Sequence, residues 1–287
     1  MKKPKISVLM PALNAQRCIG TALKSLRNQT FKDYELIVVD NGSSDRTMDI
    51  AKKYSDRVYE MKKRGLSFAR NIGIRNAKAD IIAFTDSDCE ATQTWIEEVN
   101  KFFLKNPNED VMAGETKIPK SGYVGDSISA LGFPGGGHAG FANMWKVNKN
   151  GYTKKFTGCN FAFRKNIIKK TGFFDETLIA ANDDTEMSMR MVRNGIRIKF
   201  NPNAVIYHEA RTSLVSFTKW MFKRGQSNYH FKKKIGNVGG FISLRLWSSK
   251  NIIMKFLFSP KIFLIIPLLF TSFFLQQAGY FYESLKN

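Results

Sequence analysis

The sequence predicts an α/β fold, a Rossmann-like and mostly parallel sheet flanked by helices. Short apolar runs alternate with helical patterns through roughly the first hundred residues, which is the order that right-handed βαβ units produce. Polar clusters follow the first, second and fourth of these runs, and a doubly wound sheet binds its ligands beyond the carboxyl ends of its strands. The length of 287 residues suits one large α/β domain or two small ones.

The predicted elements follow in chain order. Strands are expected at residues 6–10, 35–39, 58–59 and 81–84, with helices between them at residues 19–28, 46–55 and 68–76. Ser44 or Asp45 can cap the second helix, because a side-chain oxygen there can accept from a backbone N–H of the first turn. Later elements are a strand at residues 156–163, a short helix at 165–170, a helix at 185–194 and a strand at 196–200.

Residues 121–155 are expected to form a flexible Gly-rich loop. The segment shows neither helical nor strand periodicity, and Gly135, Gly136, Gly137 and His138 lie at its centre. Long segments without regular structure are uncommon in compact domains and are usually functional.

The charge of the chain predicts a polyanionic partner. There are 45 Lys and Arg residues against 24 Asp and Glu residues, a formal net charge of +21. Nucleic acid, the anionic face of a membrane and phosphate-bearing substrates are the candidates. Hydrophobic residues at 43% and charged residues at 24% exclude a disordered chain, a collagen and a multi-span transporter.

Much of the positive charge lies near the C-terminus. Residues 211–261 form a basic, aromatic and amphipathic segment, and residues 262–282 then carry no ionisable side chain except tyrosine. The second stretch has the length of a membrane-spanning helix, but Pro267, Gln276 and Gln277 also fit an anchor lying in the interface, or a buried helix or oligomer contact. Lysines before the apolar stretch favour a cytoplasmic location for the preceding domain. Residues 1–210 are therefore expected to form the main folded domain, followed by the basic segment and a single anchor at the cell membrane.

The spacing of the three cysteines bears on disulfides and zinc binding. Cys18, Cys89 and Cys159 are isolated, odd in number and form no CxxC pair. This spacing indicates neither a disulfide framework nor a zinc site, and it fits the reducing cytoplasm.

Two acidic motifs follow predicted strands. Asp86 and Asp88 come directly after the strand at residues 81–84, where two carboxylates can converge on Mg²⁺ or Mn²⁺ and neutralise a diphosphate. Asp40 ends the second strand and can accept a hydrogen bond from a base imide N–H or a ribose hydroxyl. Each motif also has a simpler reading, a solvated turn in the first case and turn chemistry in the second.

A third acidic motif opens the helix expected at residues 185–194. Asp183 and Asp184 could cap the helix dipole, or one of them could serve as a general base that takes the proton of an attacking hydroxyl. The turn after the first strand, residues 11–14, lacks the G-x-G-x-x-G pattern of dinucleotide binders, which argues against an NAD-dependent dehydrogenase.

Taken together, these motifs resemble the family 2 glycosyltransferases with the GT-A fold. The matching stretches occur in the family's order over roughly residues 5–210; they are ISVLMPALN, ELIVVDNGSSDRT, GLSFARNIGIRNAKADIIAFTDSD, TGCNFAFR, GFFDE and DDTEMSMRMVRNG. The resemblance implies a nucleotide-diphosphate sugar as donor and an inverting displacement assisted by Mg²⁺ or Mn²⁺.

The resemblance also implies roles for particular residues. Pro11, Asn14, Asp40 and Arg70 would bind the nucleotide, with Asp86 near its ribose. Asp88 would hold the metal together with Asp86 and His208. Asp184 would be the general base, and Asp183 stands where a Glu is more usual. Leu13 departs from the pattern, because the family commonly has an aromatic residue there.

The acceptor is expected to be a glycan or a lipid-linked saccharide, contacted by residues 158–160 and the Gly-rich loop. The anionic membrane surface is the other expected partner, and nucleic acid is not expected, because membrane attachment also explains the uncharged tail. The oligomeric state stays open. The competing hypotheses are a basic protein that binds nucleic acid or membrane, a nucleotidyltransferase, and a catalytically silent protein of the same fold.

Overall fold

The structure is a computed structural model that describes residues 3–62, 64–178, 182–236 and 239–286, without the side chains of residues 239–241. The chain divides into two compact units. The sheet unit comprises residues 1–115 and 147–208, and the helical unit comprises residues 116–146 and 209–287. The predicted boundary at residue 210 lies close to this division, but residues 116–146 belong to the helical unit rather than to a continuous first domain.

The strands form one mixed sheet. They are β1 (Ile6–Ala12), β2 (Tyr34–Asp40), β3 (Arg57–Glu60), β4 (Ile81–Phe84), β5 (Cys89–Ala91), β6 (Val111–Lys117), β7 (Tyr152–Thr153), β8 (Phe161–Arg164) and β9 (Ile198–His208). Their order is β3-β2-β1-β4-β8-β6-β9-β5, with β7 paired to β9. β1 to β4 pair in parallel, whereas β8 is antiparallel to both β4 and β6, and β5 and β7 are antiparallel to β9. This mixed α/β sheet with flanking helices confirms the predicted fold class, although the strands beyond β4 pair antiparallel rather than parallel.

The helices are α1 (Ile19–Arg27), α2 (Thr47–Tyr54), α3 (Leu66–Asn76), α4 (Trp95–Lys105), α5 (Gly122–Ala130), α6 (Phe141–Met144), α7 (Ile168–Thr171), α8 (Asp183–Arg193), α9 (Leu214–Ile235), α10 (Gly239–Phe256) and α11 (Ile262–Lys286). Short 3₁₀ helices lie at Gly137–Ala139 and Lys165–Ile167. In α1 the buried residues are Ile19, Ala22, Leu23 and Leu26, which is the spacing that forms one apolar face on a helix.

The parallel strands lie at the centre of the core. All seven residues of β1 are buried, and such a strand reads as an unbroken apolar run rather than an alternating one. α3 packs closely on β1, because a Cβ added at Gly73 would lie 2.1 Å from Cδ1 of Leu9. This close approach fixes the position of Arg70, which lies on α3 one turn before Gly73.

Residues 121–155 contradict one prediction. The segment expected to be an irregular loop at residues 121–155 contains α5, a 3₁₀ turn, α6 and the short strand β7. Its glycines adopt the positive φ values that connect these short elements, for example +65° at Gly135 and +121° at Gly136. The pattern failed here because α5 is rich in Gly and Ser, so that its helical periodicity is weak.

α9 and α11 pack against each other through glycine. A Cβ added at Gly225 would lie 2.1 Å from the carbonyl oxygen of Gln276, and one at Gly279 would lie 2.1 Å from that of Phe222. Small residues at matching positions let two helix backbones approach this closely. Around the contact, Phe217, Met221, Ile252, Ile265 and Leu268 belong to one buried apolar cluster.

Candidate active site

The acidic motif at residues 86–88 lies where the sequence predicts it, at the carboxyl end of β4. The chain continues from β4 through buried Thr85, whose N–H donates to the carbonyl of Leu9 on β1 at 3.1 Å. Burial raises the pKa of Asp86 to about 6, against the opposing charge of Arg70. The Asp86 carboxyl group therefore lies at the carboxyl ends of the parallel strands, next to the positive charge of Arg70.

Arg70 is the centre of the site. Its side chain is 2% exposed. It forms an ion pair with Asp183, its Nη2 lies 3.5 Å from Oδ1 of Asp86, and Nη2 donates to the carbonyl of Gly158 at 3.0 Å. Burial alone would lower the pKa of Arg70, but Asp183 and Asp86 raise it above its ordinary value. Arg70 therefore joins the two acidic motifs, which lie far apart in the sequence.

The start of α8 places Asp183 and Asp184 in different surroundings. Asn182 precedes the helix in a left-handed conformation, with φ of 68°. Asp183 is buried against Arg70, whereas Asp184 is only partly buried and its Oδ2 accepts from the Gly158 N–H at 3.0 Å. The N–H and hydroxyl of Thr185 donate to its Oδ1 at 2.6 and 3.1 Å.

The surroundings of Asp184 keep its carboxylate ionised. Burial alone would raise the pKa of Asp184, but the charges of Lys155 and Arg70 and the Gly158 N–H lower it below its ordinary value. The residue at position 158 must be glycine for this arrangement, because a Cβ there would lie 2.6 Å from Nη2 of Arg70. Sequence reasoning missed the contribution of Lys155, which donates to the hydroxyl of Thr185.

Asp88 and His208 form a second group in the sheet unit. His208 ends β9, which pairs with β5 in the register that sets Cys89 opposite His208. Nε2 of His208 lies 3.4 Å from Oδ1 of Asp88, and the ligand atoms of Asp88, Cys89 and His208 all lie within 4.8 Å of one another. A carboxylate and an imidazole suit Mn²⁺, and the carboxylate also suits Mg²⁺.

Cys89 does not fit the donor set of such an ion. Burial, together with a hydrogen bond to Cys159, raises the pKa of the Cys89 thiol well above its ordinary value. Only the thiolate is a good ligand, and hard ions prefer oxygen. The residues present therefore fit a hard divalent ion at Asp88 and His208.

The nucleotide-binding residues predicted at the first two strands form their own set of contacts. Pro11 is buried within β1, and Asn14 follows it with φ of 48°. Oδ1 of Asn14 accepts from the Ser44 N–H at 2.9 Å, while Oδ2 of Asp40 accepts from the Ser43 N–H at 3.0 Å. Oδ1 of Asp40 is buried and has no hydrogen-bond partner within the described part of the chain. An acceptor in this state fits a ligand N–H or O–H.

The predicted residues thus fall into three groups with different contacts. Arg70 contacts Asp86 and Asp183 rather than Asp40, so its expected contact with the nucleotide base stays a prediction. Asn160, expected to touch an acceptor, is fully buried and accepts from Nε1 of Trp95 at 3.0 Å. The Asn160 side chain also donates to the carbonyl of Ala204 at 2.9 Å, and the expected contact of residues 158–160 with an acceptor stays a prediction.

The acidic groups around buried Arg70 lie at the carboxyl edge of an α/β sheet, which is where such sheets bind their ligands. Residues 7–172 match the family model "Glycosyl transferase family 2". The chain belongs to this family, and it is a transferase.

Named relatives agree with this assignment. Glycosyltransferase AglE of Haloferax volcanii is 28% identical over 224 residues, which are 72% of this chain and 68% of the relative. A Campylobacter jejuni enzyme, named GalNAc(5)-diNAcBac-PP-undecaprenol beta-1,3-glucosyltransferase, is 29% identical over 186 residues, 60% of this chain and 56% of the relative.

Two solved structures share the fold at low identity. Staphylococcus aureus TarS 1–349 in complex with UDP-GlcNAc matches 96% of this chain and 89% of its own, with a TM-score of 0.56 and 18% identity. The mannosyltransferase PcManGT of Pyrobaculum calidifontis, in complex with GDP-Man and Mn²⁺, matches 95% of this chain and 74% of its own, with a TM-score of 0.58 and 18% identity. Against a longer TarS structure, the match covers 96% of this chain but only 54% of the TarS chain.

Proposed function

We propose that this protein is an inverting glycosyltransferase that moves a sugar from a nucleotide-diphosphate donor to a hydroxyl of a glycan or lipid-linked acceptor. The observation that carries the proposal is the contact of Arg70 with both Asp86 and Asp183. Through this contact the acidic motif after β4 and the start of α8 are held next to one another. A donor diphosphate and an attacking hydroxyl need such neighbouring sites for an in-line displacement.

The nucleotide is proposed to bind where β1 and β2 end. Support comes from Oδ1 of Asp40, a buried acceptor that a base imide N–H can satisfy. Asn14 and Asp40 hold the backbone N–H groups of Ser44 and Ser43, so that the loop between β2 and α2 keeps its shape beside that oxygen. Pro11 gives this end of β1 a fixed backbone.

The metal is proposed to be Mg²⁺ or Mn²⁺, held by Asp88 and His208 with Asp86 close by. When bound, such an ion neutralises the negative charge that develops on the leaving nucleoside diphosphate. The chain's own contribution is to fix the ligands. His208 is held at the end of β9 by its pairing with Cys89 of β5, and Asp88 directly precedes Cys89 in the chain.

Asp184 is proposed to accept the proton of the attacking hydroxyl. Its lowered pKa keeps the carboxylate ionised at neutral pH, and its partial exposure leaves it open to an acceptor, unlike buried Asp183. Asp183 is proposed to act as a positioning residue, because its partner is Arg70. No covalent intermediate on the enzyme is required.

Membrane attachment is proposed to occur through α11, lying in the interface rather than spanning the bilayer. Among the residues described, α11 is the one helix long and apolar enough to cross a membrane, with a mean hydropathy of 1.7 in its apolar window. Its last turns pair with α9: Gln226 donates to Glu283 at 2.8 Å, and Asn228 donates to Gln276 at 3.3 Å.

The composition of α9 opposes a spanning α11. α9 carries the charged residues Lys219, Lys223, Arg224, Lys232, Lys233 and Lys234. A helix lying along α11 would enter the bilayer with it, and each charge at the bilayer centre costs about 2.5–3.5 kcal/mol. The exposed rings of Phe258, Phe263 and Phe270, at 98%, 81% and 63%, instead offer an apolar face to lipid. The catalytic unit is proposed to lie on the cytoplasmic side.

A panel of nucleotide sugars tests the proposed activity. The full chain is incubated with UDP- and GDP-linked sugars and Mn²⁺, and both thermal stabilisation and release of nucleoside diphosphate are measured. We expect at least one donor to raise the unfolding midpoint and to be turned over only when Mn²⁺ or Mg²⁺ is present. Release of pyrophosphate from a nucleoside triphosphate and a sugar phosphate would support the nucleotidyltransferase instead.

A further inference from the structure

Three arginines of the helical unit converge on two aromatic rings. The guanidinium carbons of Arg224 and Arg245 lie 4.7 and 4.8 Å from the centre of the Phe133 ring. The guanidinium carbon of Arg211 lies 4.5 Å from the centre of the Trp220 ring, and that of Arg224 lies 5.4 Å from the same centre. The rings of Phe133 and Trp220 meet edge-on at 5.9 Å. Stacking on rings holds the guanidinium groups close together although their charges repel.

Arg245 is the arginine of this cluster whose polar atoms need a ligand. Its Nη1 and Nη2 are buried, and neither has a hydrogen-bond partner among the described residues. Burial, and then the charge of Arg224, lower the pKa of Arg245 to about 10. Asp126, an acidic residue of the same unit, is paired with Lys261 at 2.8 Å. A buried guanidinium without hydrogen-bond partners lowers the stability of the folded protein, and buried donors in folded proteins nearly always have a hydrogen-bond partner.

We propose that Arg245, together with Arg224 and the Phe133 ring, binds a phosphate group at a site built from residues of the helical unit, none of which is among the residues proposed for sugar transfer. A guanidinium presents its N–H donors as a planar fork that matches two phosphate oxygens, and a second arginine adds the charge to balance a dianion. Ile242 and Leu246 of the same helix are 61% and 68% exposed, and such apolar side chains can contact lipid. The phosphate can therefore come from a lipid headgroup as well as from a soluble phosphate.

Two binding assays on the full chain test the site and distinguish the two sources. The first follows the unfolding midpoint with increasing inorganic pyrophosphate, in EDTA so that no metal contributes. The second measures co-sedimentation with phosphatidylcholine vesicles that contain or lack phosphatidic acid. Arg245→Met removes the guanidinium, and Lys250→Gln is the matched control, because Lys250 is an exposed charge on the same helix.

The expected result is a loss specific to Arg245. In at least one assay, Arg245→Met should bind about tenfold more weakly than the wild-type chain, while Lys250→Gln stays within about twofold. A loss in the pyrophosphate assay assigns a soluble phosphate, and a loss with vesicles alone assigns a lipid headgroup. Should Arg245→Met not fold, Arg245→Lys keeps the charge without the fork and is expected to lose binding in the same assay. Equal binding by the Arg245 variants and the control in both assays overturns the site.

Discussion

Arg70 and Asp183 lie 113 residues apart in the sequence and form a buried ion pair, with their side chains 2% and 4% exposed. Gly73 brings α3 onto β1 and thereby brings Arg70 to the start of α8. The pair links the sheet to the helix that carries the proposed base. Its loss should therefore affect both the stability and the geometry of the site.

Asp183→Asn should destabilise the protein by about 3 kcal/mol, because it leaves the Arg70 charge buried with a weaker partner. Urea unfolding followed by circular dichroism measures the change. Asp80→Asn is the control, since its partner Lys3 and Asp80 are 57% and 83% exposed, and a surface pair contributes about 0–1 kcal/mol. Equal losses in the two variants would contradict a structural role for the buried pair.

Asp40→Asn should weaken binding of the free nucleotide about tenfold. The amide N–H₂ can turn toward the base N–H from which Oδ1 is expected to accept, so that two donors would then face each other. Calorimetry with UMP and GMP in EDTA measures the affinity without metal. Asp49→Asn, an exposed carboxylate in the first turn of α2, should leave the affinity unchanged. If Asp40→Asn binds both nucleotides like the wild-type chain, Asp40 does not contact the base.

Asp88→Ala should lower the affinity for Mn²⁺ about tenfold or more, and His208→Ala should lower the affinity for Mn²⁺ more than that for Mg²⁺, because imidazole suits Mn²⁺ better. Electron paramagnetic resonance of free Mn²⁺ gives the Mn²⁺ affinity, and displacement of bound Mn²⁺ by added Mg²⁺ gives the Mg²⁺ affinity. Cys89→Ser is the control: the thiol stays protonated, so that its replacement should leave Mn²⁺ binding unchanged. A large loss in Cys89→Ser would mean that the ion sits against the sulfur instead.

Carbonate at high pH should release the protein from isolated membranes, because an interfacial helix lacks the span that resists extraction. Phe263→Glu should shift protein from the membrane fraction to the soluble fraction, since this ring is 81% exposed on α11. Leu104→Glu, equally an exposed apolar residue at 68% but on α4, should have no effect. A carbonate-resistant pellet would show that α11 spans the bilayer.

The sequence predicted the parallel half of the sheet well, because β1, β2 and β4 are short apolar runs that polar residues terminate. It missed α4, although Trp95, Ile96, Val99 and Phe103 carry a clear helical period. The strand predicted at residues 156–163 starts only at Phe161, since residues 157 and 160 form an isolated bridge instead. The tight turn that joins residues 157 and 160 leaves no hydrophobic pattern in the sequence from which it could be predicted.

The candidate site residues were predicted from motifs, but their partners within the fold were not. Asp86, Asp88 and Asp184 follow strand ends or open a helix, so their positions depend on local patterns. The partner of Arg70 depends on how α3 packs against the sheet, and the role of Gly158 depends on the space beside that arginine. Such contacts arise only when distant segments fold together, and a single sequence holds no periodic signal for them.

The measurement that tests the proposed mechanism most directly is sugar transfer by Asp184→Asn with the donor identified in the nucleotide-sugar panel. Asparagine keeps the shape of the side chain and can accept from the Gly158 N–H, but it cannot take a proton. We predict that turnover falls by about 10²–10⁴-fold while donor affinity in the presence of Mn²⁺ stays within about twofold of wild type. Transfer by Asp184→Asn at the wild-type rate would contradict the assignment of Asp184 as the general base.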